Sequence, residues 1–328
     1  MPSPFDGARE LVRRAWASRQ QRRQRSGFHS RFGGLWTDRL DAPALLEERR
    51  ASGALSRDDA ARLAFWMEQG FWIEKGALSA ESVEQVKAEL AALASDPSRR
   101  PLVELGGRYA ELSHELESEH VKLVDAYARS RAALALAFAE PIRRFLQLVF
   151  DDEALLFQSL SFERGSEQSV HQDTAYVVVS PPLAFAAAWI ALEDVQSGSG
   201  ELVYYPGSHR LEDHLFGGAQ KNWNRERHGL AEQERFHAEL LRRCDEHRLE
   251  RATFLPAKGD VLFWSADLAH GGAPIRDARL TRASLVCHYC PSWARPYYFH
   301  YRPERRRVLE FASGARYASS HYDLSRTR

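Results

Sequence analysis

The sequence predicts an α+β fold, in which a mostly helical N-terminal part precedes a β-sandwich or barrel. Two observations support this prediction. Up to about residue 150 apolar residues recur at helical spacing, whereas from about Leu155 short apolar or alternating runs are separated by Gly, Pro and Ser. The 328 residues are 44% apolar and 11% aromatic, so the chain can bury a substantial core.

The helical part begins with clear start and stop signals. Ser56 followed by Asp59 resembles a capping box and predicts a helix over 57–69. Gly70 ends this helix before the short strand Phe71–Glu74.

Two further helices are predicted before residue 150. After the potential cap Ser79, helical spacing is shown by Val83, Val86, Leu90 and Leu93. A third helix runs over about 132–150, and Pro141 breaks or restarts it. We therefore expect 56–150 to be mainly helical.

The β part is predicted from short runs bounded by turn residues. These runs are 155–163, 168–178, 184–193, 201–205, 260–265 and 281–290. A charged, helix-favouring insert over 211–255 separates two of the predicted strands. We expect the insert to lie near the mouth of the β core and to act as a lid.

Charge and cysteine content disfavour several classes of protein. The 45 basic residues balance the 45 acidic ones, so no global field attracts nucleic acid or an anionic membrane. The three cysteines cannot all pair, which does not suit a secreted disulfide framework. No stretch reaches the roughly 18 apolar residues of a membrane span. We expect a cytoplasmic protein, and the sequence indicates no oligomeric state.

Arginines are concentrated near both ends of the chain. Eight lie between Arg9 and Arg31 against one acid, Glu10. A solvated arm packed on the domain is the favoured interpretation, while a transit peptide and a nucleic-acid-binding arm stay open. With the basic run 302–307, these arginines could form a surface for a phosphate-bearing or carrier-linked substrate.

A candidate metal site lies in the second predicted strand, where 170–176 read Val-His-Gln-Asp-Thr-Ala-Tyr. Because strand side chains alternate, His171 and Asp173 would point to the same side and bind one ion. With a second histidine they would form a facial triad, which suits Fe(II) and leaves positions open for a co-substrate and O2. His270 is the best candidate, because it follows a predicted strand and precedes two glycines, where backbone can approach a ligand.

Arg282 lies twelve residues beyond His270, inside the apolar run 281–290. A guanidinium buried in a β core needs an anionic partner, and Ser284 shares its face by strand alternation. A forked donor beside a hydroxyl suits the far carboxylate of a dicarboxylic acid such as 2-oxoglutarate. Two other arginines, in the turn 274–280, are expected in solvent.

Over about Phe71 to Pro291 the chain resembles the phytanoyl-CoA dioxygenase family of Fe(II)- and 2-oxoglutarate-dependent oxygenases. The motifs that carry the resemblance are His171-Gln172-Asp173, Trp189, the loop Tyr205 to His209, Gly259-Asp260, His270-Gly271 and Arg282. It implies a double-stranded β-helix, the cupin-like jelly roll, wrapped by helices. It also implies that His171, Asp173 and His270 hold the catalytic iron and that Arg282 binds 2-oxoglutarate.

The resemblance also suggests secondary site residues and a domain plan. Gln172 and Trp189 match positions near the co-substrate, and Gln158 could point into the same cavity. We expect one domain over 1–328. Its expected parts are a basic extension (1–55), a mainly helical support (56–150), a jelly-roll core (151–291) with the insert 211–255, and a C-terminal tail (292–328).

The implied reaction is hydroxylation of an aliphatic C–H bond of a small molecule, with release of succinate and CO2. Because the extension, insert and tail depart from the family's best-known member, phytanoyl-CoA is not carried over as the substrate. A secondary metabolite, a lipid and a carrier-linked molecule remain open. Asp173 favours hydroxylation, since related halogenases carry a small residue there. Desaturation, epoxidation, ring closure and a non-catalytic metal-binding jelly roll are the alternatives.

Overall fold

The computed structural model describes residues 27–99, 101–105, 108–113 and 122–325. The basic extension is therefore described only from Gly27 onwards. The helices described are α1 Ala42–Ala51, α2 Arg57–Gln69, α3 Ala80–Ala94, α4 Arg131–Ala137, α5 Glu140–Phe150, α6 Arg225–Glu246 and α7 Tyr298–Tyr301. In this part of the chain, no helix has the length and apolar character needed to cross a membrane.

The helix signals of the sequence are confirmed. The Ser56 hydroxyl accepts a 3.0 Å hydrogen bond from the Asp59 amide at the start of α2, and Gly70 ends that helix with a φ of 78°. Ser79 caps α3, whose four predicted apolar residues are buried. The third predicted helix is divided into α4 and α5, and Pro141 lies in the first turn of α5.

The strands form one large sheet and two small ones. They are β1 Phe71–Glu74, β2 Leu102–Leu105, β3 Arg108–Glu111, β4 Lys122–Val124, β5 Ala154–Phe162, β6 Val179–Ser180, β7 Ala186–Ala191, β8 Leu202–Tyr204, β9 Ala252–Phe254, β10 Val261–Ser265, β11 His270–Gly272, β12 Ser284–Pro291, β13 Arg295–Pro296, β14 Leu309–Glu310 and β15 Arg316–Tyr317. The large sheet follows the order β1-β10-β7-β12-β5-β4-β2-β3, and β15 joins it parallel to β5. The small sheets are β11-β8-β9 and β13-β6.

The two faces of the large sheet pack in different apolar layers. Along β10, Val261 and Phe263 belong to the cluster that contains the helices. Leu262 and Trp264 belong to a second cluster, together with Tyr204 of the three-stranded sheet. The three-stranded sheet therefore covers one face of the large sheet and the helices cover the other, which is the predicted arrangement of a jelly-roll core wrapped by helices.

The prediction of a strand over 168–178 is wrong. His171 forms only an isolated bridge with His270, and the chain then enters a 3-10 turn at Asp173–Ala175. The turn forms because the amides of residues 175–177 bond back to the carbonyls of Gln172 and Asp173 instead of to a neighbouring strand. The last predicted strand also starts later than expected, at Ser284.

Three other expectations are refined. The part 56–150 is not only helical, because β2, β3 and β4 extend the large sheet beyond β5. Of these strands, β4 pairs with β5, β2 with β4 and β3 with β2, and Val103 and Leu123 pack in the main apolar cluster. The insert ends in β9, which pairs with β8. The C-terminal tail packs on the core through β13 and β15.

Candidate iron site

The three side chains predicted as metal ligands converge at one point. Nε2 of His171 and Nε2 of His270 each lie 3.7 Å from Oδ1 of Asp173. The three ligand atoms all lie within 4.8 Å of one another, and all three residues are buried. Two imidazole nitrogens and a carboxylate oxygen at this spacing suit a divalent transition metal such as Fe(II).

The backbone holds the two histidines together through an isolated antiparallel bridge. The His171 amide donates to the His270 carbonyl and the His270 amide donates to the His171 carbonyl, each at 2.9 Å. Directly opposite residues present their side chains on one side, and the two imidazole ring centres are 4.6 Å apart. The turn at Asp173 brings its carboxylate to this pair. The triad thus forms through a bridge and a turn, where the sequence suggested regular strand alternation.

Each imidazole is fixed in the tautomer that a metal ligand requires. Nδ1 of His171 lies 2.8 Å from the Ser169 carbonyl, and Nδ1 of His270 lies 2.9 Å from the Leu268 carbonyl. A carbonyl oxygen only accepts, so both Nδ1 atoms carry the proton. The lone pairs of both Nε2 atoms are therefore free for a metal, and the carbonyls orient the rings.

The second carboxylate oxygen of Asp173 is held by two other side chains. Trp264 donates its indole N–H to Oδ2 at 2.7 Å, and Nε2 of His288 lies 3.2 Å from the same oxygen. Because the carboxylate only accepts, Nε2 of His288 carries the proton. These two donors leave Oδ1 directed at the histidine pair.

Burial and neighbouring charge keep His171 and Asp173 in the protonation states that bind a metal. Burial, together with the neighbouring His270, lowers the pKa of His171 to about 4, so that imidazole is neutral at pH 7. Burial alone would raise the pKa of Asp173, but His270 and His288 outweigh it and lower the pKa below its usual range. The site therefore offers one carboxylate anion and neutral imidazole at neutral pH.

Arg282 is a buried cation without an acidic partner. It is 2% exposed, and its Nη1 donates to the Gly200 carbonyl at 2.9 Å. Within the described residues its Nε has no hydrogen-bond partner and its guanidinium forms no ion pair. The guanidinium carbon lies 5.4 Å from the ring centre of Phe162 and 5.7 Å from that of Trp189. Burial lowers the pKa of Arg282 to about 10, which leaves it charged at neutral pH.

Ser284 completes this group of unsatisfied donors. It is fully buried, and its hydroxyl has no hydrogen-bond partner in the described part of the chain. An unsatisfied buried donor costs about 1–3 kcal/mol, and more when the group is charged. The unsatisfied Nε of Arg282 therefore fits a small dianion such as 2-oxoglutarate, whereas Ser284 is not among the described residues that line the cavity of Arg282.

The triad and Arg282 share one cavity of about 680 Å³. Gln158 and Trp189, the secondary residues suggested by the sequence, also line it. Gln172 does not belong to the described lining: its side-chain amide turns away and donates to the Asp267 carbonyl at 2.8 Å. The volume is sufficient for a co-substrate and an organic substrate side by side.

Comparison with known proteins identifies the family. Residues 66–283 match the family model described as Phytanoyl-CoA dioxygenase (PhyH). The chain belongs to this family. Its members are oxygenases that depend on Fe(II), 2-oxoglutarate and O2, and the triad beside a buried arginine suits these cofactors.

Individual relatives of the phytanoyl-CoA dioxygenase family are distant. The peroxisomal phytanoyl-CoA dioxygenase of Mus musculus is 19% identical over 236 residues, which are 69% of this chain and 66% of the mouse protein. The Homo sapiens protein is 27% identical over 131 residues, 39% of this chain and 35% of the human protein. The chain thus spans just under two thirds of the mouse relative's length and less of the human one's.

Solved structures support the fold. The α-ketoglutarate-dependent epimerase SnoN from nogalamycin biosynthesis superposes with a TM-score of 0.55 at 20% identity, covering 77% of this chain and 87% of that chain. EctD from S. alaskensis, solved with 2-oxoglutarate and 5-hydroxyectoine, superposes with a TM-score of 0.51 at 20% identity, covering 72% of this chain and 76% of that chain. These likenesses indicate a shared jelly-roll architecture.

Sequence reasoning missed several residues of this phytanoyl-CoA dioxygenase family site. His288 shares the cavity face with Arg282 by strand alternation, so the strand pattern could have revealed it. Trp264 lies in the core, and its indole N–H donates to Asp173. Lys122 on β4 and Trp223 in the insert also line the cavity. No local signal identifies these last two, because long-range packing alone brings them to the wall.

Proposed function

We propose that the protein is a 2-oxoglutarate-dependent dioxygenase that hydroxylates an aliphatic C–H bond of a small organic molecule. One observation carries the proposal: a complete facial triad and an unpaired buried arginine open into the same cavity of about 680 Å³. A structural metal site would need no unsatisfied cation beside it, so this arrangement disfavours the non-catalytic alternative.

Each site residue has a definite task in this proposal. When bound, iron and 2-oxoglutarate supply the oxidising power that breaking a C–H bond requires. His171, Asp173 and His270 hold the metal on one side and leave the other side open. Arg282, assisted by Ser284, binds the far carboxylate of the co-substrate and so orients its other end toward the metal.

The insert helps to shape the substrate side of the cavity. The hydroxyl of Tyr176 lies 2.7 Å from Nε2 of His237 and accepts a 2.9 Å hydrogen bond from Gln233, both on α6. The Tyr176 ring is 5.5 Å from that of His171, and Trp223 of the insert lies 6.1 Å from Tyr176. We propose that these aromatic side chains cover the reacting carbon and exclude water from it.

An anaerobic titration with Fe(II) and 2-oxoglutarate tests the site itself. The wild type should show the weak visible charge-transfer band that arises when 2-oxoglutarate chelates Fe(II). His270→Ala should abolish this band. Arg282→Met should weaken it at the same 2-oxoglutarate concentration. An exposed variant, Arg279→Met, should match the wild type. Iron binding without the band would contradict the dioxygenase proposal.

The reaction outcome needs a separate experiment, because ring closure, desaturation and epoxidation can use the same iron site. A library of small organic molecules would be screened for succinate release above the substrate-free background, and the products analysed by mass spectrometry under labelled O2. Hydroxylation predicts gain of one labelled oxygen atom without net loss of hydrogen and with every C=C bond retained; the same mass gain with loss of a C=C bond in the NMR spectrum would show epoxidation. Loss of two hydrogens without oxygen gain would show desaturation or ring closure instead.

We also propose that the protein works in a reducing compartment such as the cytoplasm. All three cysteines of the chain are buried and free. Burial raises the pKa of Cys287 to about 12, which keeps this thiol protonated and unreactive.

A further inference from the structure

A second cleft, separate from the iron cavity, lies in the C-terminal part of the chain. It has a volume of about 330 Å³, and we call it the C-terminal cleft. Three arginines, Arg295, Arg306 and Arg316, and one histidine, His300, belong to its lining. Among the described residues, none lines both this cleft and the iron cavity.

Tertiary structure gathers these arginines from separate elements. Arg295 lies on β13, which pairs with β6, and Arg316 lies on β15, where it pairs with Leu155 of β5. Arg306 follows the short 3-10 helix Pro303–Arg305. Bringing like charges together in a cleft is unfavourable on its own, so a bound anion would relieve the repulsion.

No carboxylate of the described residues neutralises the guanidinium groups of the cleft. Within the described residues, Arg295, Arg306 and Arg316 form no ion pair, and the hydrogen bond from Nε of Arg306 to the Phe299 carbonyl is a contact to backbone. By contrast, Arg39, Arg49, Arg50, Arg242, Arg243 and Arg279 all pair with carboxylates. Uncommitted guanidinium groups bind phosphate oxygens through paired N–H donors.

Three exposed aromatic residues lie next to the cleft along the chain, outside its described lining. Tyr297 and Tyr301 are 51% and 59% exposed, and Trp293 is 50% exposed. The Tyr297 ring lies 5.7 Å from the ring of His300, which lines the cleft, and 5.5 Å from that of Tyr301. Large aromatic side chains left in solvent beside unpaired arginines mark a binding surface, and their faces can stack on a planar ring.

We infer that the C-terminal cleft binds a nucleoside diphosphate group. Arg295, Arg306 and Arg316 would hold its phosphates, and the exposed rings of Tyr297 and Tyr301 would stack on its base. This inference concerns a site outside the iron cavity and does not depend on the proposed oxygenase reaction.

Calorimetric titration of the full chain, free of iron and at low ionic strength, tests the inference with ADP, pyrophosphate and adenosine as probes. We expect ADP to bind more tightly than pyrophosphate and adenosine to bind weakest. Arg295→Ala and Arg316→Ala should each weaken ADP binding about tenfold. Tyr297→Ala should weaken ADP binding about fivefold and leave pyrophosphate binding unchanged.

Three controls locate the binding. Arg242→Ala removes an exposed arginine elsewhere and should change ADP affinity less than about twofold. Arg282→Met removes the cation of the iron cavity and should leave ADP affinity unchanged. Arg316→Lys keeps the charge and should give an affinity between those of Arg316→Ala and the wild type, which separates loss of binding from loss of folding.

Three results would overturn the inference. Absence of ADP binding at millimolar concentration, or ADP binding that both cleft arginine variants leave intact, would show that the cleft is not the site. Equal affinity for ADP and pyrophosphate, unaffected by Tyr297→Ala, would overturn the assignment to a nucleotide and leave a site for phosphate alone.

Discussion

Two buried cations, Lys221 and Arg282, sit in opposite electrostatic settings. Lys221 is 4% exposed, and its ammonium lies 2.7 Å from Asp267 and 2.9 Å from Asp213. Burial alone would lower the pKa of Lys221, but these two carboxylates outweigh it and raise the pKa. Arg282 is equally buried, but among the described residues its guanidinium forms no ion pair and donates one hydrogen bond, to the Gly200 carbonyl, while the charge of Glu201 raises its pKa less than burial lowers it. A cation whose partners lie within the chain supports the fold, whereas one without them indicates a ligand.

The Lys221 network also explains how the insert is attached to the iron site. Asp267 accepts a hydrogen bond from Thr174, next to Asp173, while its backbone carbonyl accepts from Gln172. Lys221 itself belongs to the insert. The insert is thus linked by buried charge to the loop that carries two of the three candidate ligands.

The largest effect should come from removing Lys221, whose ammonium pairs with Asp213 and Asp267. Lys221→Met would leave the buried Asp267 and the half-buried Asp213 without a cation, and we expect the free energy of unfolding to fall by about 3–5 kcal/mol. Urea denaturation measures this change. Lys258→Met, which breaks an exposed pair with Glu84, should have a much smaller effect. Equal losses in the two variants would contradict the structural role assigned to Lys221.

Removing Arg282, the buried cation without an ion pair among the described residues, should weaken ligand binding without lowering stability. Arg282→Met should weaken 2-oxoglutarate binding about 100-fold, or about 2.7 kcal/mol, because the far carboxylate loses its charged partner. The free energy of unfolding without ligand should stay the same or rise, since an uncompensated buried charge is removed. Anaerobic calorimetry with Fe(II) and urea denaturation report these two quantities. If Arg282→Met lowered the free energy of unfolding and left the 2-oxoglutarate affinity unchanged, Arg282 would support the fold and would not bind the co-substrate.

A smaller effect is expected at His288, where one of the two ring nitrogens has a hydrogen-bond partner. Its Nε2 contacts Asp173, but its Nδ1 is buried without a partner in the described part of the chain. His288→Leu should weaken metal binding about tenfold, because Asp173 loses one of the donors that orient it, while stability changes little. Titration with Co(II), followed by its visible spectrum, measures the affinity. An unchanged Co(II) affinity would mean that Trp264 alone holds the carboxylate.

The smallest effect should be that of the Ser284 hydroxyl. Ser284→Ala should weaken 2-oxoglutarate binding about threefold, as expected for one neutral hydrogen bond. Ser159 offers a matched control, because it is equally buried and its hydroxyl also has no partner among the described residues. Ser159 alternates with the cavity-lining Gln158 on β5, so Ser159→Ala should leave the affinity unchanged. Equal effects of the two variants would exclude a specific contact from Ser284.

Sequence reasoning predicted the iron site more accurately than the cavity around it. His171, Asp173 and His270 were chosen by residue type and spacing, and the structure brings them together although the strand assumed for the first two is a bridge and a turn. Arg282 was chosen because a charge within an apolar run requires a partner. Lys221 carried no such signal, since it lies in a polar stretch of the insert, yet it is as buried as Arg282.

By itself the sequence determined the helix ends, most of the core strands, the candidate metal ligands and the family, because capping, periodicity and motif spacing depend on residues close together in the chain. Only the tertiary structure decided which side chains line the cavity, which cations are paired, and that arginines from β13, β15 and the segment between them meet in one cleft. These features depend on which distant strands pair and how the sheets pack, and residues far apart in the chain carry no local periodicity that specifies their contact.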